Sequence, residues 1–95
     1  MNLQLLIQEQ SPLLVDVREP FEFASGHVQG AENIPLGTIP AHIDRFRNLN
    51  KPIVFYCRSG MRSGQAVAFL NGLGVRDIYN GGALEEMITL TKVHA

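Results

Sequence analysis

Ile53-Val54-Phe55-Tyr56 is an unbroken apolar run that stops at Cys57 and turns at once into Arg58-Ser59-Gly60-Met61-Arg62-Ser63. An apolar run without polar alternation reads as a strand buried on both faces, the habit of parallel sheets covered by helices. Parallel neighbours need long crossovers, so the rest of the chain has to supply helices between strands.

The remaining pattern supplies them. Leu3, Leu6, Ile7 and Gln10 make a short helical stripe that Ser11-Pro12 would end, and Leu13-Leu14-Val15-Asp16-Val17 reads as the first strand. Glu19 to Ser25 reads as a short helix with Pro20 early, where its missing N–H does no harm, and Gly26 as terminator. Gly30 to Pro35 is a brief extended piece, and Ile39, Ile43 and Phe46 recur at helical spacing. Ala66, Phe69, Leu70 and Leu73 mark a helix from Ser63 to Leu73 that Gly74 stops. Asp77-Ile78-Tyr79 reads as a strand, Gly81-Gly82 as a tight turn into a last helix through Leu84 and Met87, and the tail from Thr89 carries no signal. The expected class is α/β, with a mostly parallel central sheet of four to five strands and helices on both faces.

With 95 residues, one domain over positions 1–95 is expected, since smaller pieces would need metals or disulfides to hold a core. Neither is expected: Cys57 is the only cysteine, and His27, His42 and His94 stand apart from any metal-ligand spacing. No cofactor motif accompanies Gly81-Gly82. No stretch approaches the ~20 apolar residues that span a bilayer, and Met1-Asn2-Leu3-Gln4 opens without a basic segment, so a cytoplasmic protein is expected. The net charge of −1 argues against nucleic acid or membrane as partners. Nothing in the chain specifies an oligomer, and a monomer is expected.

Cys57 falls at the C-terminal end of a central strand, where open α/β sheets place their ligand sites. Gly60 permits a tight curve, Ser63 is an expected N-cap, and a helix starting there would aim free N–H groups at the sulfur. With Arg58 and Arg62 added, the thiolate is favoured, since such surroundings lower a cysteine pKa from ~8.5 to roughly 3.5–7.5. Cys57 is therefore read as a nucleophile rather than an inert core cysteine.

Four segments carry a resemblance: Leu13 to Glu19, Gly26-His27-Val28 to Pro35, Ile53 to Ser63, and Tyr79-Asn80-Gly81-Gly82. In this order they resemble a single-domain rhodanese, from about Leu3 to Met87. The resemblance implies the rhodanese α/β fold and a sulfurtransferase. Cys57 would take sulfur from a small anionic donor such as thiosulfate and, as a persulfide, pass it to a thiol or cyanide-like acceptor or an acceptor protein. Residues Arg58, Ser59, Gly60, Met61, Arg62 and Ser63 would form the substrate loop. Arg58 and Arg62 would draw the donor's sulfonate to the rim, with Arg62 alternatively turned inward as a brace.

Two departures from the family pattern stand out. A helical stripe replaces the usual opening strand, and Glu86 takes the place of a tryptophan that follows the paired glycines. Related cysteine phosphatases set their arginine six positions after the cysteine, whereas Arg62 comes five after Cys57, which disfavours a phosphatase or arsenate reductase. Asp16, Arg18 and His27 are read as structural supports, hydrogen-bonding neighbouring loops, in preference to catalytic roles. The competing function is a delivery module that hands the persulfide to a protein partner with little small-molecule turnover. A regulatory domain without catalysis normally lacks the cysteine.

Overall fold

The computed structural model describes residues 2–92. Helix α1 (Leu3–Gln10) starts at Asn2, whose side chain accepts the Leu5 N–H at 3.2 Å, and ends at Ser11 in the left-handed region. Then follow β1 (Leu13–Asp16), α2 (Pro20–Ala24), β2 (Glu32–Asn33), a 3-10 helix (Leu36–His42) running into α3 (Ile43–Asn48), β3 (Ile53–Cys57), α4 (Met61–Gly72), β4 (Ile78–Ala83) and α5 (Leu84–Lys92). The sheet has four strands in the order β2-β1-β3-β4, all paired in parallel. No strand precedes α1 among the described residues.

Every residue of β3 is buried, and its pleat splits the core in two. Ile53, Phe55 and Cys57 face Val15, Ile39, Phe46, Ala66 and Leu70 on the side of α3 and α4. Val54 and Tyr56 face Leu6, Ile7, Val28 and Met87 on the side of α1 and α5. Helices therefore cover both faces, as an unalternated strand requires. The end of α4 is held by a two-bond stop, Gly74 N–H to Asn71 O and Val75 N–H to Leu70 O, both 3.0 Å, with Val75 and Leu70 themselves packed in the core.

Three expectations need correction. Gly81 and Gly82 are not a turn into a helix but part of β4, where the register steps from Phe55 opposite Asn80 to Tyr56 opposite Gly82. Gly81 is thus the extra residue of a bulge. The last helix does not fade at Thr89 but runs to Lys92, and the tail expectation for residues 93–95, His94 included, lies outside the described residues. Ile39 to Phe46 is not one α-helix, because Pro40 sits in a 3-10 segment that gives way to α3 only at Ile43. Glu86, at the family's tryptophan place, accepts the Ala83 N–H at 3.0 Å and so satisfies a donor at the start of α5.

Glycine at 81 is a packing requirement. A Cβ there would stand 2.7 Å from Met87 Sδ and 2.8 Å from Val54 Cγ1, both in the buried core. Gly81→Ala is expected to destabilise the fold by ~1–3 kcal/mol, the usual cost of overpacking, measured as a lower urea midpoint with unchanged slope. An unchanged midpoint would mean that β4 and α5 shift apart freely.

Candidate active site

The strand ends and the loop begins at the same residue. Cys57 closes β3 with its side chain on the α4 side and is wholly buried. Gly60, at φ 96°, turns the chain so sharply that α4 starts at Met61. The helix therefore begins two residues earlier than expected, and Ser63 is not its N-cap but lies within its first turn. The reason is the left-handed residue itself, which only glycine adopts cheaply. A Cβ on Gly60 would also stand 3.2 Å from Gly82 Cα, so the loop rests on the bulged part of β4.

This curl gathers donors around one atom. Gly60 N–H donates to Cys57 Sγ at 3.0 Å, and Ser63 Oγ lies 3.5 Å from it. Burial pushes the Cys57 thiol up, but the Ser63 hydroxyl and the N–H groups of Ser63, Ser59 and Gly60 outweigh it and leave the pKa below that of an ordinary thiol. Hydrogen bonding to the anion, from a fixed loop, is thus the main device.

The two arginines separate. Arg58 is exposed and makes no ion pair or side-chain hydrogen bond among the described residues. Arg62 turns to α2, where Nη1 and Nη2 meet Glu22 Oε1 and Oε2 at 2.8 and 3.0 Å. Of the two expected roles for Arg62, this geometry is that of the brace. Arg62, with the Glu19 N–H after it, pulls the Glu22 carboxyl down to about 2 from an ordinary 4.5. A depressed carboxyl contributes stability in full above its ordinary pKa and loses it as the pH falls from 4.5 toward 2. The pair is partly exposed and screened, so the effect should stay under about 1 kcal/mol. The stability gap between the native chain and Glu22→Gln is expected to be level above pH ~5 and to close below it; a gap that ignores acid would show that the charge on Glu22 contributes nothing.

Met61 and Phe21 are 75% and 76% exposed, large apolar side chains next in sequence to the two halves of this bridge. Ser59 is exposed as well.

Asp16, Arg18 and His27, expected to be supports, lie apart from the sulfur's donors. Asp16 and Arg18 are buried and form a two-pronged pair, with Nη2–Oδ2 at 2.7 Å and Nε–Oδ1 at 3.0 Å, and Arg18 Nη2 donates to Gly26 O at 2.7 Å. His27 stacks on Phe23, centroids 3.6 Å apart, and its Nδ1 donates to the Phe23 carbonyl at 2.8 Å. It lines a separate cleft of about 600 Å³ with Ile7, Leu14, Val28 and Ile88, to which none of residues 57–63 contributes.

Sequence reasoning passed over three residues. Asn80 accepts from Ser63 Oγ at 2.7 Å and from Gly82 N–H at 2.9 Å, and donates to Gly60 O at 3.1 Å. Its place in the Tyr79 to Gly82 motif was the available signal. Glu22, 40 residues from Arg62, gave none. Tyr56 hides a polar tip in an apolar strand: its hydroxyl accepts the Val28 N–H at 3.0 Å, and burial pushes its pKa up.

A family model described as "Rhodanese-like domain" matches residues 2–85. The uncharacterized protein YqhL of Bacillus subtilis is 45% identical over 67 residues, 70% of this chain and 52% of its own length. The chain thus spans about half of that relative. The thiosulfate sulfurtransferase PspE of Escherichia coli is 38% identical over 80 residues, covering 83% of this chain and 76% of PspE. A solved rhodanese with anions from E. coli superposes with a TM-score of 0.71 at 36% identity, over 79% of this chain and 89% of that one.

Proposed function

This chain belongs to the rhodanese-like domain family, and on that footing we propose that it is a sulfurtransferase whose Cys57 carries sulfane sulfur from thiosulfate or a persulfide to a thiol or cyanide-like acceptor. The observation that carries this reading is that the Gly60 N–H, at 3.0 Å, and the Ser63 hydroxyl, at 3.5 Å, both face one buried sulfur. Donors fixed before reaction stabilise an anion without reorganising.

The Cys57 thiolate attacks the outer sulfur of thiosulfate. A new S–S bond forms, the bond to the sulfonate sulfur breaks, and its electron pair leaves with sulfite. The outer sulfur, now anionic, is then attacked by the acceptor, and the electron pair of the Cys57 S–S bond returns to the cysteine. Two half-reactions of this kind give ping-pong kinetics. Arg58, unpaired among the described residues, serves to attract the anionic donor; Arg62, engaged with Glu22, holds the loop wall. That engagement also speaks against a phosphatase, which needs a guanidinium over its bound anion. A monomer in the cytoplasm, where a lone thiol stays reduced, suits the chemistry.

The test is intact mass before and after thiosulfate. A gain of ~32 Da, one sulfur, reversed by cyanide, is expected of a covalent carrier. No adduct with any sulfane donor would overturn the reading. Delivery to a protein partner is a second reading, favoured by the exposed Met61 and Phe21 beside the loop. Fast discharge to a protein thiol with slow discharge to cyanide would select it.

A further inference from the structure

Ser63 has one hydroxyl proton and two acceptors within reach. Its Oγ lies 2.7 Å from Asn80 Oδ1 and 3.5 Å from Cys57 Sγ, and the residue is wholly buried. The Asn80 amide is fixed in orientation by its other partners, since Oδ1 receives the Gly82 N–H and Nδ2 supplies the Gly60 carbonyl. We propose that Asn80 is a positioning residue for Cys57 that acts through Ser63, holding the hydroxyl proton while the sulfur is a thiol and yielding it when the sulfur is an anion. The proposal rests on the reading of Cys57 as nucleophile.

Both states are fully bonded. In the thiol state Sγ–H donates to Ser63 Oγ, whose own proton goes to Asn80 Oδ1, and the chain of donors runs away from the sulfur. Once the sulfur has given its proton to solvent it has only acceptor capacity, so the hydroxyl turns about its C–O bond and donates to Sγ. Asn80 Oδ1 keeps the Gly82 N–H and is not left bare. No heavy atom moves. Asn80 thereby favours the thiol and Ser63 the thiolate, so their removal should act in opposite directions. The charged groups around the sulfur are Arg62 on α4, tied to Glu22 on α2, and Arg58 on the loop; the Asp16–Arg18 pair lies at the end of β1. None exchanges a hydrogen bond with Ser63 or Asn80, so they stay constant through the comparison.

The experiment is a double-mutant cycle of the native chain, Ser63→Ala, Asn80→Ala and the double variant. Each is titrated by the pH dependence of iodoacetamide alkylation at its single cysteine. Ser63→Ala should raise the apparent pKa. Asn80→Ala also removes the brace on Gly60, so its own shift mixes two effects, and the cycle separates them. Loss of Asn80 is expected to favour the thiolate about threefold more with serine at position 63 than with alanine there. Equal shifts in both backgrounds, or coupling of the opposite sign, would overturn the proposal. Asn80→Ser replaces the alanine variant in the cycle if that variant does not fold. Alkylation reads the thiol whether or not it carries sulfur: coupling without any persulfide would sink the function and leave Asn80's role, and persulfide without coupling would do the reverse.

Discussion

Cys57→Ser is expected to lower sulfur transfer from thiosulfate by about ten-thousandfold or more, the scale on which loss of a nucleophile is felt. Serine fits the space, and the Gly60 N–H and Ser63 hydroxyl that face the sulfur at 3.0 and 3.5 Å remain to bond its oxygen. Stability should therefore change by no more than about 1 kcal/mol. What is lost is chemical: an alcohol has no accessible anion near neutral pH where the loop has been built to stabilise one, and oxygen does not carry sulfane sulfur. The measurement pairs thiosulfate-to-cyanide transfer with urea unfolding of the same preparation. Transfer persisting in a folded serine variant would remove Cys57 from the mechanism, and joint loss of transfer and fold would make the cysteine a packing residue.

The parts of this design that were legible in the sequence are those a single strand or turn decides. Ile53 to Tyr56 has no polar residue for a solvent face, so both faces had to be covered, and the parallel pairings on either side of β3 accord with that. Gly60 stood between a strand end and a helical pattern, so a curled loop at Cys57 was readable too. What escaped depends on neighbours distant in the chain. Gly81-Gly82 has the composition of a turn, and only the pairing of β4 with β3 reveals it as a bulge. Ser63 has the composition of an N-cap, but the left-handed Gly60 starts the helix earlier and leaves the hydroxyl facing Asn80 and the sulfur. Arg62 looked like a substrate ligand because its carboxylate, Glu22, belongs to another helix.

Asp16→Ala is expected to cost about 3–5 kcal/mol, the range for breaking one half of a buried ion pair. That is a large part of the 5–15 kcal/mol that holds a domain together. Arg18 would stay buried with the Gly26 carbonyl as the remaining hydrogen-bond partner of its guanidinium, having lost contacts at 2.7, 3.0 and 3.1 Å and the bond from its own N–H to Oδ1 at 2.9 Å. The desolvated guanidinium dominates, so Asp16→Ala with Arg18→Met should be less destabilised than Asp16→Ala alone, which additive losses would not allow. Urea unfolding of both variants decides this. If the double variant is the worse of the two, the pair's contribution lies in its bonds to the 26–28 turn and not in the charge it buries. Because neither residue hydrogen-bonds the Cys57 sulfur, variants that remain folded should keep the thiol titration of the native chain. A folded Asp16→Ala protein with an altered Cys57 titration would place Asp16 in the chemistry, through Tyr56 and the end of β3.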